Sequence, residues 1–531
     1  MIPKISHQTW HSPSYTRNDG TPASWKALNP GWEYRLWLDD ALEAFVAQSY
    51  PEFIALYRGY PLAVQRADLG RYLLLHHFGG FYADMDTDCL APLDPIAQEA
   101  RIVLCDEPRA QWGPARDFGL DRLLFNGTMA SPAGHPFWLH LARLAERCKS
   151  AAAKNVLIST GPVLLTAAVQ SWPQKGDFSL NSCHLFAPQE SGGAPAADPV
   201  EGDYAALRLS RHNWSGSWYR DIGDSPARRI KGRLRQLKAR LKRPAKPMDE
   251  TDLAALDPAL LHAKPAPFDP KNLPQVALFV PVKDGAAFLD RHMALIKALD
   301  WPKSRLRLVY CEGDSADDSR AKLEALKQIE GPQFAGFEIL SHRSGLVLDR
   351  AKRWEPRMQF KRRCALARAR NWMIKQGLKD QDEWVLWLDV DVCDFPTNIL
   401  KTLLAAKEKI VTPDCVLSPG GPSFDLNAYL EIGHARRSEF YKYVKAGLFQ
   451  PPAGYWRRMH MHDLRFLEKT PLNAVGGTML LVHGSVHRAG LIFPERPYRH
   501  LIETEAFGRM AYDAGLIPIG LPNVEIRHVK S

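Results

Sequence analysis

The run Val276-Ala-Leu-Phe-Val280 is apolar at every position. A strand with one solvated face alternates apolar and polar residues, so an unbroken apolar run belongs to a strand buried on both faces, as in a sheet covered by helices. The chain beyond it keeps to that plan. The patterning predicts a helix over Ala286–Leu299, a strand over Leu306–Tyr310, a helix over Ser319–Ile329 and a strand over Phe337–Leu340. An earlier stretch begins the same way, with a strand at Ile2–Ser6 and helical patterns at Ala41–Gln48 and Leu62–His77. Such alternation reads as α/β with a largely parallel sheet, started twice. A length of 531 residues fits two or three domains.

The boundary between the two starts is chemical. No acid lies between Asp224 and Asp249, and ten Lys or Arg do, which accounts for the whole net charge of +10. Charge concentrated in one segment points to a local electrostatic contact, and no nucleic-acid motif accompanies it. Within that segment Ile230, Leu234, Leu237 and Leu241 fall on one helical stripe, followed by a Pro-rich stretch from Lys264 to Pro274. The expected organisation is a first domain over 1–222, a connector over 223–272 and a second domain over 273–531. Residues 228–243 are expected to form a basic amphipathic helix whose stripe either lies on an anionic membrane surface or packs on one of the two domains with its charges solvated.

The eight cysteines, Cys89, Cys105, Cys148, Cys183, Cys311, Cys364, Cys393 and Cys415, include no Cys-x-x-Cys pair. That argues against a zinc ribbon or a disulfide framework and fits a reducing compartment. The first ten residues carry no signal pattern, and no apolar run of about 18 residues occurs. The expectation is a cytoplasmic protein, peripheral at the inner face of the membrane.

Two acidic motifs carry the chemistry. In Arg66-Ala-Asp68-Leu-Gly-Arg71-Tyr72 to Gly79-Gly80-Phe-Tyr82-Ala-Asp84-Met-Asp86-Thr-Asp88, a helix ends at a Gly-Gly turn and a short strand leads into Asp-x-Asp. Residues i and i+2 of a strand share a side, so Asp84 and Asp86 are expected to project together at a strand's carboxyl end, where open α/β sheets place ligands. Two hard oxygen ligands in an open site suit Mg²⁺ or Mn²⁺ held jointly with a diphosphate. The second motif is Glu383-Trp-Val-Leu-Trp-Leu-Asp389-Val-Asp391, with Arg368-Ala-Arg370-Asn371 on a basic helical segment upstream. Arginine beside such a site suits a diphosphate.

Residues 1–218 resemble the DXD-containing glycosyltransferase family 32. The matching pieces are Ile2 to Trp10, Trp25 to Asp40, Arg66 to Asp88, Asn126-Gly127, Thr160-Gly-Pro162 and His212-Asn-Trp-Ser-Gly-Ser-Trp218. The resemblance implies a GT-A fold, retaining transfer, Asp68 and Arg66 near the donor sugar and diphosphate, Asp84 on the donor, and Asp86 and His212 on the metal. Trp10 and Asn126 are assigned to donor binding with them. UDP-sugars and GDP-mannose both fit as donor.

Residues 276–531 resemble the Anp1-type mannosyltransferases, family 62, through Phe279 to Asp284, Glu312 to Asp318, Ala369 to Asp391, Ser423-Phe-Asp425-Leu-Asn427, Gly476-Gly477-Thr478, Ile502-Glu503-Thr504-Glu505, and Gly520 to Asn523 followed by His528. This implies a GDP-mannose-using, manganese-dependent GT-A enzyme with Asp389, Asp391 and His528 as the metal set. Asp317, Arg370, Asn371, Gly476 and Gly477 are assigned to the donor, and Glu503 and Glu505 to acceptor or donor hydroxyls. Together the two resemblances imply an α/β chain of two GT-A-type, Rossmann-like nucleotide-sugar domains joined by a basic helical connector. The chain would be a bifunctional transferase acting on a surface polysaccharide or lipid-linked glycan. The alternative is one active domain beside a domain that only binds glycan or nucleotide sugar.

Overall fold

The computed structural model describes residues 1–11, 21–215, 253–346, 355–433 and 437–530. The expected amphipathic helix at 228–243 lies outside the described residues, as do 216–218 of the His212–Trp218 piece. Two compact units account for the described chain, one within Met1–Leu234 with Arg465–Leu467, the other within Arg235–Leu464 and Glu468–Ser531. Both are mixed α/β.

The first unit carries strands β1 (Ile5–Trp10), β2 (Glu33–Leu38), β3 (Gly80–Ala83), β4 (Thr87–Cys89), β5 (Ile102–Cys105), β6 (Thr128–Ser131), β7 (Phe178–Asn181) and β8 (Ser210–His212). Six of them form a sheet in the order β2-β1-β3-β6-β5-β7, and β4 pairs with β8 separately. One core lies around Phe81, Val103, Phe125, Ala130, Trp25 and Phe186, a second around Leu69, Leu73, Leu74, Phe45 and Phe53. The helix Ala63–Phe78 supplies that second core and stops at Gly79. Gly79 and Gly80 both take positive φ, +63° and +86°, and a side chain on either would strike backbone. Glycine is required here to turn the chain straight from helix into β3.

The second unit carries β9 (Val276–Val282), β10 (Leu306–Glu312), β11 (Gly336–Ser341), β12 (Trp384–Leu388), β13 (Val392–Asp394), β14 (Ile410–Val416), β15 (Tyr429–Glu431), β16 (Val444–Lys445), β17 (Leu448–Phe449), β18 (Arg458–His460), β19 (Thr470–Pro471), β20 (Met479–His483) and β21 (Ile519–His528). Its main sheet runs β11-β10-β9-β12-β20-β14-β21-β13, with β19 on β21. The helix Leu289–Ala298, the helix Ser319–Glu330 and the 22-residue helix Pro356–Gly377 connect the parallel strands.

Parallel pairs make up three of the five in the first sheet and run through β11-β10-β9-β12 in the second, as expected, but neither sheet is parallel throughout. β3 and β5 each pair antiparallel with β6, and β20 pairs antiparallel with both β12 and β14. Short strands buried on both faces show no alternation that depends on direction, so patterning does not reveal how β6 and β20 pair. All eight cysteines are free, and all but Cys393 are buried. Among the described residues no helix is long and apolar enough to cross a membrane.

Candidate active sites

Both Asp-x-Asp motifs sit one step beyond the expected strand. β3 ends at Ala83, and Asp84 to Thr87 form a turn closed by Thr87 N–H donating to Asp84 O at 3.0 Å. β12 ends at Leu388, and Val392 N–H donates to Asp389 O at 3.2 Å across an equivalent turn. The carboxylates therefore converge because of the turn, not because of strand alternation. In each case the short strand after the turn pairs antiparallel with a late strand that ends in histidine, so Thr87 faces His212 and Val392 faces His528. The ladder places each imidazole beside the second carboxylate: His212 Nε2 lies 3.0 Å from Asp86 Oδ1, and His528 Nε2 lies 3.1 Å from Asp391 Oδ2.

In the first unit, ligand atoms of Asp84, Asp86 and His212 all lie within 4.8 Å of one another. Two carboxylates and a neutral imidazole make a donor set that fits Mn²⁺ or Mg²⁺. Burial pushes the Asp86 carboxyl up, but His212 and two hydrogen bonds from Ser215, N–H at 2.8 Å and Oγ at 2.6 Å, outweigh it and hold the group well below the carboxylate range. The His212 ring packs against Trp214 at 4.5 Å and Phe125 at 5.2 Å.

Behind Asp84 stands Arg71, which the sequence reading did not assign. Its guanidinium lies 3.0 Å from Asp84 and 3.2 Å from Asp68, and donates to Asn126 O at 2.8 Å. Asp68 is also held by Asn126 Nδ2 at 3.1 Å and Thr160 Oγ1 at 2.8 Å, yet burial still pushes it up to about 6. Tyr82 donates to Asp84 at 3.0 Å. Arg66 turns elsewhere and donates to Tyr60 O at 3.1 Å, while Trp10 ends β1 with its ring 4.4 Å from His11. Asp88 pairs with Arg211 and Asn213.

Two residues beyond Cys105, where its N–H donates to Leu123 O at 2.8 Å, stands Glu107. It is 8% exposed, its carboxyl has no hydrogen bond or ion pair among the described residues, and burial pushes it up to about 8. Between its ordinary 4.5 and that value the unfolded chain ionises while the folded one stays protonated. The folded state holds the extra proton, so stability falls as pH rises through this window, at about 1.4 kcal/mol per unit at most. Glu107→Gln is expected to melt several degrees above the wild type at pH 8 and alongside it near pH 4.5, as read by calorimetry.

In the second unit the helix Pro356–Gly377 brings Arg370, 2% exposed, against Asp389 (3.4 Å) and Glu503 (2.9 Å). Burial pushes Asp389 up to about 7, against the pull of Arg370. Glu505 pairs with Arg363 and with Arg458, the latter at 3.4 Å. Glu503 sits at φ +57°, a left-handed conformation that costs a non-glycine residue about 1 kcal/mol or more. Asp425, which the motif contained but no role was assigned, accepts from Gly477 N, Thr478 N and Thr478 Oγ1 at 3.0–3.3 Å, and a side chain at Gly476 would collide with it. Thr478 O in turn accepts from Asp389 N at 3.0 Å. His528 closes the ten-residue β21, and Val529 N donates to Asp391 O, so the strand end is tied down. Two predicted residues point away from this cluster. Asn371 binds the backbone of Phe493 at 2.8 and 2.9 Å, and Asp317 accepts from Ala286 N and Ser319 N at 3.0 Å.

Residues 260–497 match the model of the Anp1 family, and residues 16–103 match a glycosyltransferase sugar-binding region containing a DXD motif. The mannan polymerase complex subunit mnn9 of Schizosaccharomyces pombe is 30% identical over 281 residues, which cover 49% of this chain and 81% of that protein. The chain belongs to the Anp1 family. Its first half is similar to another group: inositol phosphoceramide mannosyltransferase 3 of Schizosaccharomyces pombe is 33% identical over 180 residues, 33% of this chain and 47% of that protein. The chain thus spans about half the length of that second relative. Among solved structures, the mannosyltransferase PcManGT from Pyrobaculum calidifontis in complex with GDP-Man and Mn2+ is 16% identical, with 52% of this chain and 66% of that one covered and a TM-score of 0.29, too slight to carry an argument. As an Anp1 family member that also carries a glycosyltransferase sugar-binding region, the chain is a glycosyltransferase.

Proposed function

We propose that the chain is a bifunctional, metal-dependent, retaining transferase with one nucleotide-sugar site in each unit. The observation that carries this is the repeated construction: a buried strand, a turn holding Asp-x-Asp, and a histidine delivered by antiparallel pairing to the second aspartate. Asp84, Asp86 and His212 would hold a divalent cation in the first unit, and Asp389, Asp391 and His528 in the second. Bound there, Mn²⁺ or Mg²⁺ supplies charge neutralisation for a leaving diphosphate.

The protein's own groups do the rest. Arg71 and Arg370 each fix the first aspartate of their motif and hold positive charge beside the place where the diphosphate builds up negative charge. Asp68 and Glu503, each anchored by the same arginines, face the donor end of the site. No nucleophile is assigned, because the transfer proceeds on the front face. The second unit takes GDP-mannose, and the first takes a UDP-sugar or GDP-mannose. The acceptor is a surface polysaccharide or lipid-linked glycan, reached from the cytoplasmic face of a membrane to which residues 228–243 bind.

A second reading has one working transferase and one binding domain. It draws on the looser second set: among the described residues only Asp84, Asp86 and His212 converge as a full triad.

Donor choice is tested by calorimetry on the whole chain carrying Asp86→Ala, with Mn²⁺ and either GDP or UDP. Binding of GDP at least about tenfold tighter, a difference of about 1.4 kcal/mol, is expected. Tighter UDP binding removes the mannosyl assignment of the second unit.

A further inference from the structure

Phe424 is an exposed aromatic ring held in place beside the second Asp-x-Asp. It is 37% exposed, and its ring stacks on the His528 imidazole with centroids 4.2 Å apart and planes at 29°. That imidazole is the one hydrogen-bonded to Asp391. The backbone on either side is pinned. Phe424 N donates to Cys415 O at 2.6 Å, Val416 bridges Ser423, and the next residue, Asp425, anchors the Gly476–Thr478 loop. The same turn leaves Leu417 and Leu426 exposed, at 39% each. Single exposed apolar residues need no explanation, but an exposed aromatic with a pinned backbone, stacked on a histidine of a polar site, does. An aromatic body offers a large apolar surface at little cost in conformational entropy. A pyranose ring presents a matching face of C–H bonds on one side, while its hydroxyls remain free for charged partners.

We propose that Phe424 is the platform on which the second unit seats the pyranose ring of its acceptor. The proposal rests on the glycosyl-transfer reading of that unit and adds where the acceptor lies. One face of Phe424 is taken by His528, so the acceptor packs on the exposed remainder, next to the carboxylates that hold the donor. Phe424 is thus a positioning residue, and its effect should appear in acceptor affinity.

The test uses the whole chain, loaded with Mg²⁺ and GDP, and methyl α-mannoside, methyl β-glucoside and methyl β-galactoside as probes. Saturation-transfer NMR should show at least one of them bound through its C–H face. Phe424→Ala should weaken that binding at least about fivefold, the scale of one aromatic contact. Phe424→Trp should retain it, and Phe424→Leu, which keeps apolar bulk without a ring face, should behave like alanine. Melting temperatures report that the variants are folded. The proposal is overturned if no pyranoside binds the wild type, if Phe424→Ala binds as well as wild type, or if leucine serves as well as tryptophan. Displacement of the probe by excess GDP-mannose would put the ring under the donor sugar and also overturns it. Failure of the donor reading is a separate signal, since GDP would then produce no binding heat.

Discussion

Asp86→Ala is expected to silence the first transfer and spare the second, and Asp391→Ala to do the reverse. Each aspartate lies in its own turn and is bound to its own histidine, His212 at 3.0 Å and His528 at 3.1 Å, so neither substitution touches the other unit's residues. The loss should be at least about a hundredfold in the affected activity, the scale of one important transition-state contact. Asp86 also organises local structure by accepting from Ser215 N and Oγ. Asp86→Asn separates the two roles: the amide keeps shape and one acceptor oxygen but loses the charge that a divalent ion requires. Asparagine should therefore be nearly as inactive as alanine while melting closer to wild type than alanine does. The measurement is hydrolysis of a panel of nucleotide sugars by the whole chain with Mn²⁺, each variant against wild type. One substitution silencing every donor in a folded protein would falsify the two-site model.

Much of this arrangement is legible in the residues. The apolar run at Val276–Val280 and the Gly79-Gly80 pair locate strands and turns because burial and backbone freedom are local properties. The helix Ser319–Glu330 begins where the pattern places it and ends one residue beyond. Pairing direction is not local, and β6 and β20 reverse the expected parallel order without leaving a mark on the burial pattern. The acidic motifs were visible, yet their convergence comes from turns and from ladders joining Thr87 to His212 and Val392 to His528, more than a hundred residues apart. Arg71 stands in the same motif, but an arginine one helical turn after Asp68 reads equally as a surface pair. Its burial against Asp84 only appears once the helix is packed. Glu503 and Glu505 illustrate the opposite case. They are expected on acceptor or donor hydroxyls, and the ion pairs that tie them to Arg370, Arg363 and Arg458 leave no mark in the sequence.

Arg370→Met is expected to destabilise the second unit and to remove its transfer activity together. The side chain is 2% exposed and stands between Glu503 and Asp389, with its Cζ over the rings of Trp387 (5.2 Å) and Phe493 (5.4 Å). Methionine fills much of the same space between those rings but leaves Glu503, 5% exposed, as a buried charge without its partner. Breaking a buried pair from one side costs about 3–5 kcal/mol, because the remaining charge loses its compensation while staying out of water. Removing the charge from both sides is much cheaper, so Arg370→Met with Glu503→Gln should recover most of the lost melting temperature. Activity should not recover with it. Asp389, already pushed up by burial, loses the guanidinium that pulls it down, and the positive charge proposed to face the diphosphate is gone. The calorimetric melting temperature and GDP-mannose hydrolysis of the two variants separate these effects. A double variant that regains stability and hydrolysis together would make Arg370 a structural counter-ion only. Recovery of stability alone leaves its guanidinium as a working part of the site.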